Sequence, residues 1–478
     1  MIKPLPPVKL DIDSGAEWLL PVAKRWLAHG KSVVGRIGSK FCTLPGGEQV
    51  TLTWTPWLEY IRIKAIAIGK IVGFSYDGYG PGYIHTGYVW DSGVRTDMIA
   101  DASISGVQPF KVSGDGSIAA GNATLLAYPH WTRAFRWDIE SNVETIADSI
   151  ITGIVPRAGT TIPAYVEYRS TYVTDMSTDG SIILGYRSPG TGLFPEAFLW
   201  TANTGPVMLG FLEGMGTLPP YGYDIGNKSY PYCMSEDGSV VFGSSGGESF
   251  FNGGNEAYVG CRWTAATGWT RLPTIYARTP TIYDWPVTAI RTNNIGNMTI
   301  GSTYDGTKNQ PYMWSEANGA EILPQPWESL GVVTSTLGVS PSGKYIIGTI
   351  DTGRSCSWEI DQETYAITAT EIPLHTPVAV LNDGTVYGYV ESTTPGKFIP
   401  AKYTTAGLVI ADEDPTYSTI LTDASPAGAV GYTGEGSPNG VGTRGFFWSR
   451  TGGPLQFIDT LPVNPSNIAR AISGGSNG

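Results

Sequence analysis

The chain has 478 residues and a formal net charge of −12. This acidic balance argues against nucleic acid and anionic membrane as partners, because either would require Lys and Arg clustered on one face of the protein. An aromatic content of 12%, with 62 Gly and 34 Pro, argues against disorder and favours a β-protein with many tight turns.

The first 30 residues are predicted to form an extended arm followed by a short helix. Residues 1–10 are rich in Pro, and Ser14 with Glu17 has the spacing of a capping box. Apolar residues from Leu19 to Leu27 fall on one helical face, and Gly30 ends the pattern. We interpret this helix as a cover for one end of the domain that follows, with a partner-docking helix as the alternative.

No segment has the apolar length of a membrane helix, and the N-terminus has no apolar core typical of a secretory signal. We therefore expect neither a membrane span nor export by the general secretory route.

A repeated unit runs from about residue 60 to the C-terminus. Each copy contains a β-branched run closed by Gly and then an aromatic residue, usually Trp, and the copies are 40 to 64 residues apart. This period is typical of four-stranded propeller blades. The closing glycines are Gly73, Gly121, Gly185, Gly243, Gly301, Gly348, Gly388 and Gly431. The paired aromatic residues are Trp90, Trp137, Trp200, Trp263, Trp314, Trp358, Tyr403 and Trp448.

The third copy illustrates the predicted blade. We expect four strands, at 171–176, 181–186, 196–201 and 206–210. Continuous apolar runs such as Ile182 to Leu184 are typical of strands covered on both faces by neighbouring sheets. The turn from Ser177 to Ser181 contains Asp179 and Gly180. The carboxylate of Asp179 can accept from backbone N–H groups, and Gly180 allows positive φ.

The two chain ends are predicted to close the ring. Residues 468–475 look like a first strand and its turn, whereas residues 31–35 and 49–54 look like later strands without that beginning. Such pairing would remove two open sheet edges. The predicted fold is therefore an all-β, single large propeller over residues 31–478, with eight or nine four-stranded blades.

The four cysteines form no CxxC pair. Cys233 and Cys261 fall on the first and third strands of one blade, and alternate strands lie about 9.5 Å apart, beyond the reach of a disulfide. We predict free, buried thiols.

Four long insertions depart from the repeat and carry aromatic residues among Gly and Pro. They span residues 76–88, 217–233, 245–258 and 274–286. Loops on a rigid scaffold are common binding sites, and Tyr and Trp provide contact area at low entropic cost. The candidate binding residues are Tyr79, Tyr83, Tyr223, Tyr230, Tyr232, Phe250, Phe251, Tyr276, Tyr283 and Trp285. Packing of these rings against their own loops, or filling of the axial channel, is the alternative.

The repeat resembles the HAF family of bacterial and phage repeat proteins, whose unit reads approximately Ser-x-Asp-Gly-Ser-x-x-x-Gly followed by His-Ala-Phe-x-Trp. Here the second half stands as Arg133–Trp137 and Glu196–Trp200, and the His is absent from every copy. The resemblance covers about residues 60–478. It implies a propeller-like β fold in an extracellular or surface setting, and it transfers no catalytic residue.

Direct signs of chemistry are weak. The four histidines are dispersed without metal-ligand spacing, and one carboxylate per turn falls short of the six to eight oxygens that Ca²⁺ takes. Acidic residues such as Glu213, Asp224 and Glu248 would suit a glycosidase only as a facing pair, and solvated surface charge explains them more simply. We expect no catalytic activity, no metal and no cofactor.

We predict a non-catalytic structural or binding propeller that is a bacteriophage virion component, such as a tail, fibre or capsid decoration protein. Two features favour this function. The repeats are of a kind expected in a surface setting although no export signal is found, and the chain has an N-terminal arm. The expected partners are other virion or surface proteins, a host-surface glycan and further copies of the chain. The alternative is a surface carbohydrate-binding lectin or a glycan-active enzyme on the same scaffold.

Overall fold

The structure is a computed structural model. It describes residues 70–77, 84–91, 94–98, 104–125, 132–139, 143–146, 155–156, 165–166, 168–189, 195–212, 228–246, 259–275, 288–305, 307–325, 333–350, 354–411, 418–433, 444–458 and 466–472. The chain divides into two compact units, residues 1–67 and residues 68–478. The predicted arm, helix and boundary after residue 30 lie outside the described residues.

The second unit is an eight-bladed β-propeller whose blades each have four antiparallel strands; a single parallel bridge between His85 and Gly106 joins blades 1 and 2 into one eight-stranded sheet. Blade 1 contains β34 (Ser466–Ile472), β1 (Ile71–Asp77), β2 (Ile84–Asp91) and β3 (Val94–Asp97). Blade 2 contains β4 (Ile104–Val112), β5 (Ile118–Leu125), β6 (Thr132–Asp138) and β7 (Val143–Ile146). Blade 3 contains β10 (Tyr168–Met176), β11 (Ile182–Pro189), β12 (Glu196–Thr201) and β13 (Gly205–Met208). Blade 4 contains β14 (Lys228–Met234), β15 (Val240–Gly246), β16 (Val259–Thr264) and β17 (Gly268–Arg271).

The other four blades repeat the same order. Blade 5 contains β18 (Thr288–Thr292), β19 (Met298–Tyr304), β20 (Asn309–Ser315) and β21 (Gly319–Ile322). Blade 6 contains β22 (Val333–Val339), β23 (Tyr345–Ile350), β24 (Arg354–Ile360) and β25 (Ile367–Ile372). Blade 7 contains β26 (Thr376–Val380), β27 (Val386–Glu391), β28 (Phe398–Thr404) and β29 (Gly407–Ile410). Blade 8 contains β30 (Thr419–Ser425), β31 (Gly428–Thr433), β32 (Arg444–Ser449) and β33 (Gln456–Phe457).

A two-stranded sheet of β8 (Val155–Pro156) and β9 (Tyr165–Val166) lies between blades 2 and 3 in the chain. Within the described ranges no helix occurs, and so none is long and apolar enough to cross a membrane.

The ring is closed by the C-terminal strand, as predicted, and the count is eight. β34 is the first strand of blade 1 and pairs antiparallel with β1, with Ile472 opposite Ile71 and Ser466 opposite Tyr76. The copy at Gly73 lacks an Asp-Gly turn because its first strand comes from the other end of the chain. The predicted partner strands at 31–35 and 49–54 lie outside the described residues; β1 is the strand that the C-terminal strand pairs with.

The glycine that closes each β-branched run faces a β-bulge in the neighbouring first strand. In blade 3, Val173 pairs with Gly185 and Asp175 with Leu184, which leaves Thr174 as the extra residue. A Cβ on Gly185 would lie 2.2 Å from the carbonyl oxygen of Tyr172. Bulges bend a strand and increase its twist. The repeated Gly is therefore required by close backbone contact, in addition to ending the apolar run.

The aromatic residue of each third strand packs against the preceding blade. Trp200 clusters with Ile118 of blade 2, and Trp358 with Ile300 of blade 5. Trp137, Trp200, Trp358 and Trp448 are buried. A buried indole covers roughly 150–250 Å², or about 4–6 kcal/mol before ordering entropy is subtracted. These aromatic residues therefore fill the space between neighbouring blades.

The Asp-Gly turns are structural. Asp179 Oδ1 accepts from the Ser177 hydroxyl at 2.7 Å and from the Ser181 amide at 2.9 Å. Gly180 has φ of +70°, and a Cβ there would meet Ile118 of blade 2 at 2.6 Å. Each such glycine thus permits both the turn and the close approach of two blades.

The strand order gives the ring two different faces. We define the turn face as the end that carries connections between first and second strands and between third and fourth strands. The insertion face is the opposite end, where second strands lead to third strands and fourth strands to the next blade. All four predicted insertions connect strand ends at the insertion face. The first strands of neighbouring blades contact one another and form the inner wall of the ring.

Candidate functional site

Three tyrosines meet where blades 3 and 4 adjoin, and we call them the tyrosine cluster: Tyr172 on β10, Tyr186 on β11 and Tyr230 on β14. The rings of Tyr172 and Tyr186 stack with centroids 4.9 Å apart. Tyr230 approaches Tyr186 edge-on across the blade boundary, with centroids 5.4 Å apart and planes inclined by 67°. All three side chains are half-buried. Tyr230 is the third of the seven residues of β14, which starts at the insertion face, and Tyr172 is the middle residue of β10.

Local pairing explains the position of these rings. Tyr172 is directly opposite Tyr186 in the antiparallel register, so both side chains project from the same sheet face. Tyr230 is brought against them by Ser229, whose hydroxyl accepts from the Ala197 amide at 2.9 Å and whose own amide donates to the Pro195 carbonyl at 2.9 Å. These bonds fix the first strand of blade 4 to the third strand of blade 3.

An ion pair between a partly exposed lysine and a buried carboxylate fixes the same blades nearer the turn face. Asp175 is 4% exposed, and Lys111 Nζ lies 2.9 Å from its Oδ1. Asp175 Oδ2 accepts from the Met234 amide at 3.0 Å. The inner strands of blades 2, 3 and 4 are therefore linked through one carboxylate, which holds the tyrosine cluster on a rigid support.

Burial, together with the neighbouring phenols of Tyr172 and Tyr230, raises the pKa of Tyr186 to about 12. The Tyr186 phenol is protonated at neutral pH and keeps its O–H as a hydrogen-bond donor. The cluster offers a ligand an uncharged aromatic surface with polar ring edges.

Tyr232 is a further aromatic residue of β14, two residues nearer the turn face than Tyr230. It is the extra residue of the bulge in this strand, because Pro231 pairs with Gly243 and Cys233 with Phe242. Tyr232 is 41% exposed, and its hydroxyl lies 3.1 Å from the hydroxyl of Ser244. The bulge exposes this ring on an inner strand whose neighbours Pro231 and Cys233 are buried.

Of the ten predicted binding residues, two lie in the described part of the chain. Tyr230 and Tyr232 belong to β14 rather than to the insertion, which ends before Lys228. Tyr88, grouped with the first insertion, is a fully buried residue of β2. The other candidates lie outside the described residues: Tyr79, Tyr83, Tyr223, Phe250, Phe251, Tyr276, Tyr283 and Trp285.

Sequence reasoning missed Tyr172 and Tyr186. Their signal was available, because the predicted strands of the third copy place an aromatic residue on each side of one hairpin. It also missed a second aromatic group in blade 7, where the rings of His375 and Phe398 are 4.8 Å apart and those of Tyr389 and Phe398 are 5.1 Å apart.

The thiols of Cys233, Cys261 and Cys356 are free and buried, as predicted, and Cys42 lies outside the described residues. Across the described part of the chain, no group of three or more His, Cys, Asp or Glu side chains is arranged to hold a metal ion. The expected absence of metal, cofactor and catalytic activity stays a prediction.

No family model and no curated protein matches this chain. Solved structures with a similar fold include the β-propeller domain of the Trilobed protease from Pyrococcus furiosus, described as having an open velcro topology. That match has a TM-score of 0.43 at 10% identity and covers 72% of this chain and 94% of the other.

Two further matches are longer proteins. Porphyromonas gingivalis dipeptidyl peptidase 4 has a TM-score of 0.49 at 9% identity, with 81% of this chain and 59% of that protein covered. A structure from an analysis of two prolyl endopeptidases has a TM-score of 0.40 at 10% identity, with 82% and 55% covered. The chain thus spans less than two thirds of either protein.

These matches correct the functional prediction. The propellers found belong to peptidases, none of the three is described as a virion protein, and the prediction of a non-catalytic virion component is wrong. At this identity the likeness concerns the fold alone, and the function has to be argued from the site.

Proposed function

We propose that this propeller is a lectin-type protein that binds a glycan at its insertion face, on the tyrosine cluster and Tyr232. The observation that carries the proposal is the contact of Tyr186 with Tyr172 of the same blade and with Tyr230 across the blade boundary. Two rigidly held aromatic rings at different angles can stack on a sugar ring and bound its edge, while phenolic O–H groups bond its hydroxyls.

The surrounding chain supports the same location. The insertions rich in aromatic residues connect β13 to β14, β15 to β16 and β17 to β18. All three therefore start and end at the insertion face of blades 3 to 5. Tyr223, Phe250 and Trp285 from these insertions are proposed to complete the binding surface.

The acidic charge of the chain is compatible with a neutral glycan. With a net charge of −12, general electrostatic attraction of an anionic polymer is disfavoured. Recognition would then depend on stacking and hydrogen bonds, and binding should change little with salt concentration.

A glycan array probed with the full chain tests the proposal. We expect a defined set of neutral glycans to bind, and Tyr232→Ala and Tyr186→Ala to weaken that binding about tenfold or more, which corresponds to about 1.4 kcal/mol. Tyr389→Ala in the blade 7 group is the matched control, because it removes a half-buried tyrosine at the insertion face far along the ring.

The melting temperature of each variant shows whether the loss reflects unfolding, and the exposed Tyr232 is the safer position in this respect. The proposal would be overturned by an array without bound glycan, or by an equal loss of binding in Tyr389→Ala. The triple variant of Tyr223, Phe250 and Trp285 to Ala tests the contribution of the insertions separately.

A further inference from the structure

The innermost strands share an equivalent position directly after the bulge, and we call it the inner ring position. The residue there pairs with the residue that precedes the closing glycine of the blade. In blade 3, for example, Asp175 pairs with Leu184, next to Gly185. In blades 2, 3, 5 and 6 the inner ring positions hold Lys111, Asp175, Arg291 and Gly338.

In blades 2 and 3, a cation at one inner ring position pairs with a carboxylate at the next. Lys111 Nζ lies 2.9 Å from Asp175 Oδ1. Asp175 is buried, and a buried charge requires an opposite charge or hydrogen bonds to compensate it. The pair shows that a side chain at one inner ring position can reach the next position around the ring.

Arg291 of blade 5 repeats the cation without the carboxylate. It lies directly opposite Ile300, a residue of the core cluster between blades 5 and 6, so its side chain projects from the sheet face that meets blade 6. The next inner ring position, which Asp175 occupies relative to Lys111, is Gly338. Since glycine has no side chain, this position supplies no counter-charge to Arg291.

The guanidinium group of Arg291 is incompletely hydrogen-bonded. Its Nη1 donates to the carbonyl of Ile290 at 3.0 Å, whereas its Nε is buried and has no hydrogen-bond partner. Within the described ranges, no carboxylate forms an ion pair with this half-buried side chain. An unpaired buried N–H of a charged group costs free energy, and most such groups in proteins have an acceptor. The edge formed by Nε and Nη2 is thus left for an acceptor with two oxygens.

We propose that Arg291 binds a small organic carboxylate on the inner wall of the ring, beside Gly338 at the boundary of blades 5 and 6. The ligand takes the place that the Asp175 carboxylate has beside Lys111. A small rotation of the Arg291 side chain lets Nε and Nη2 each donate to one carboxylate oxygen, the paired geometry that arginine favours. This site is separate from the tyrosine cluster, which lies between blades 3 and 4.

Thermal melting of the full chain in increasing sodium acetate tests the proposal, with NaCl adjusted to hold the ionic strength constant. We expect the melting temperature of the wild-type protein to rise and then saturate, with a dissociation constant on the order of 1 mM for a ligand held by two charge-assisted hydrogen bonds. Arg291→Gln should lose this rise, because it keeps a polar side chain but removes the charge.

Two substitutions of Gly338 form a matched pair. A Cβ at this position has the Ile347 side chain as its nearest neighbour, at 3.2 Å, so a small side chain requires only a small shift. Gly338→Asp supplies the missing carboxylate from the chain itself and should abolish the response to acetate. Gly338→Ala adds a side chain without charge and should still respond.

The line width of ¹³C-labelled acetate in NMR spectra gives a second readout that does not depend on stability. The line should broaden with the wild-type protein and Gly338→Ala, and stay sharp with Arg291→Gln and Gly338→Asp. The proposal fails if acetate changes neither the melting temperature nor its own line width with the wild-type protein. It also fails if Arg291→Gln or Gly338→Asp binds acetate as the wild-type protein does.

Discussion

The indole of Trp90 lies beside the ring of Phe447, with centroids 6.2 Å apart and planes inclined by 34°. This contact joins the first blade to the eighth. Trp90 and Phe447 belong to one buried cluster with Ile71 and Val430, so the seam has a hydrophobic core like the other blade boundaries. Closure therefore depends on side-chain packing as well as on the pairing of β34 with β1.

Replacing Trp90 by Ala should destabilise the whole ring. The substitution removes a buried ring and leaves a cavity at the seam, and such changes cost about 3–5 kcal/mol. Chemical denaturation followed by circular dichroism measures the effect. Trp263→Ala, a half-buried third-strand residue in blade 4, is the comparison and should cost less. Equal losses would contradict the importance of burial at the seam.

Removing the C-terminal strand should open the ring. A chain ending at residue 465 lacks β34 and exposes the edge of β1, and we expect it to melt well below the full chain and to aggregate. A chain ending at residue 472 keeps the strand and is the control. If both truncated chains melt like the full chain, the seam does not contribute to stability.

The glycines opposite the bulges should not tolerate a side chain. A Cβ on Gly431 would lie 2.0 Å from the carbonyl oxygen of Ile420, so Gly431→Ala forces the backbone apart and should cost several kcal/mol. On Gly338 the nearest atom to a new Cβ is the side-chain tip of Ile347, at 3.2 Å. Gly338→Ala should therefore be much milder, and urea denaturation of both variants gives the comparison.

The turn carboxylates should contribute stability that disappears in acid. The Ser239 amide and the hydroxyls of Ser235 and Ser239 donate to Asp237 and hold its pKa below the usual value of 3.8. A lowered folded-state pKa means that the stabilisation is complete above the unfolded pKa and is lost as pH falls through the folded pKa. Asp237→Asn should thus be less stable than the wild-type protein at neutral pH, with the difference shrinking below about pH 4. If the melting temperatures of the wild-type protein and Asp237→Asn differ by the same amount at every pH in this range, the assignment is contradicted.

The buried thiols should react slowly in the native protein. Burial raises the pKa of Cys261 to about 12 and also raises the pKa values of Cys233 and Cys356, so little thiolate is present at pH 8. In a Cys42→Ser variant, a thiol reagent should label none of the three in buffer and all three in guanidinium. Rapid native labelling, or a mass that changes on reduction, would contradict free and buried cysteines.

The seam and the blade boundaries were accessible to sequence reasoning because they depend on repeated local patterns. The spacing of Gly185 and Trp200 indicates a strand pair, and an incomplete copy at each end indicates closure. The assignment of β34 to the copy at Gly73, and hence the number eight, required the structure, because strand pairing between residues 71 and 472 leaves no signal in local periodicity.

The amino-acid sequence alone determined the blade. Turn chemistry at Asp179 and Gly180, β-branched runs and paired aromatic residues act over a few residues, and each copy specifies them again. Tertiary structure alone decided which surfaces meet across blades. The contact of Tyr230 with Tyr186 and the bulge that exposes Tyr232 both depend on how neighbouring sheets twist and pack. Those relationships arise between residues far apart in the chain, where propensity and periodicity carry no information.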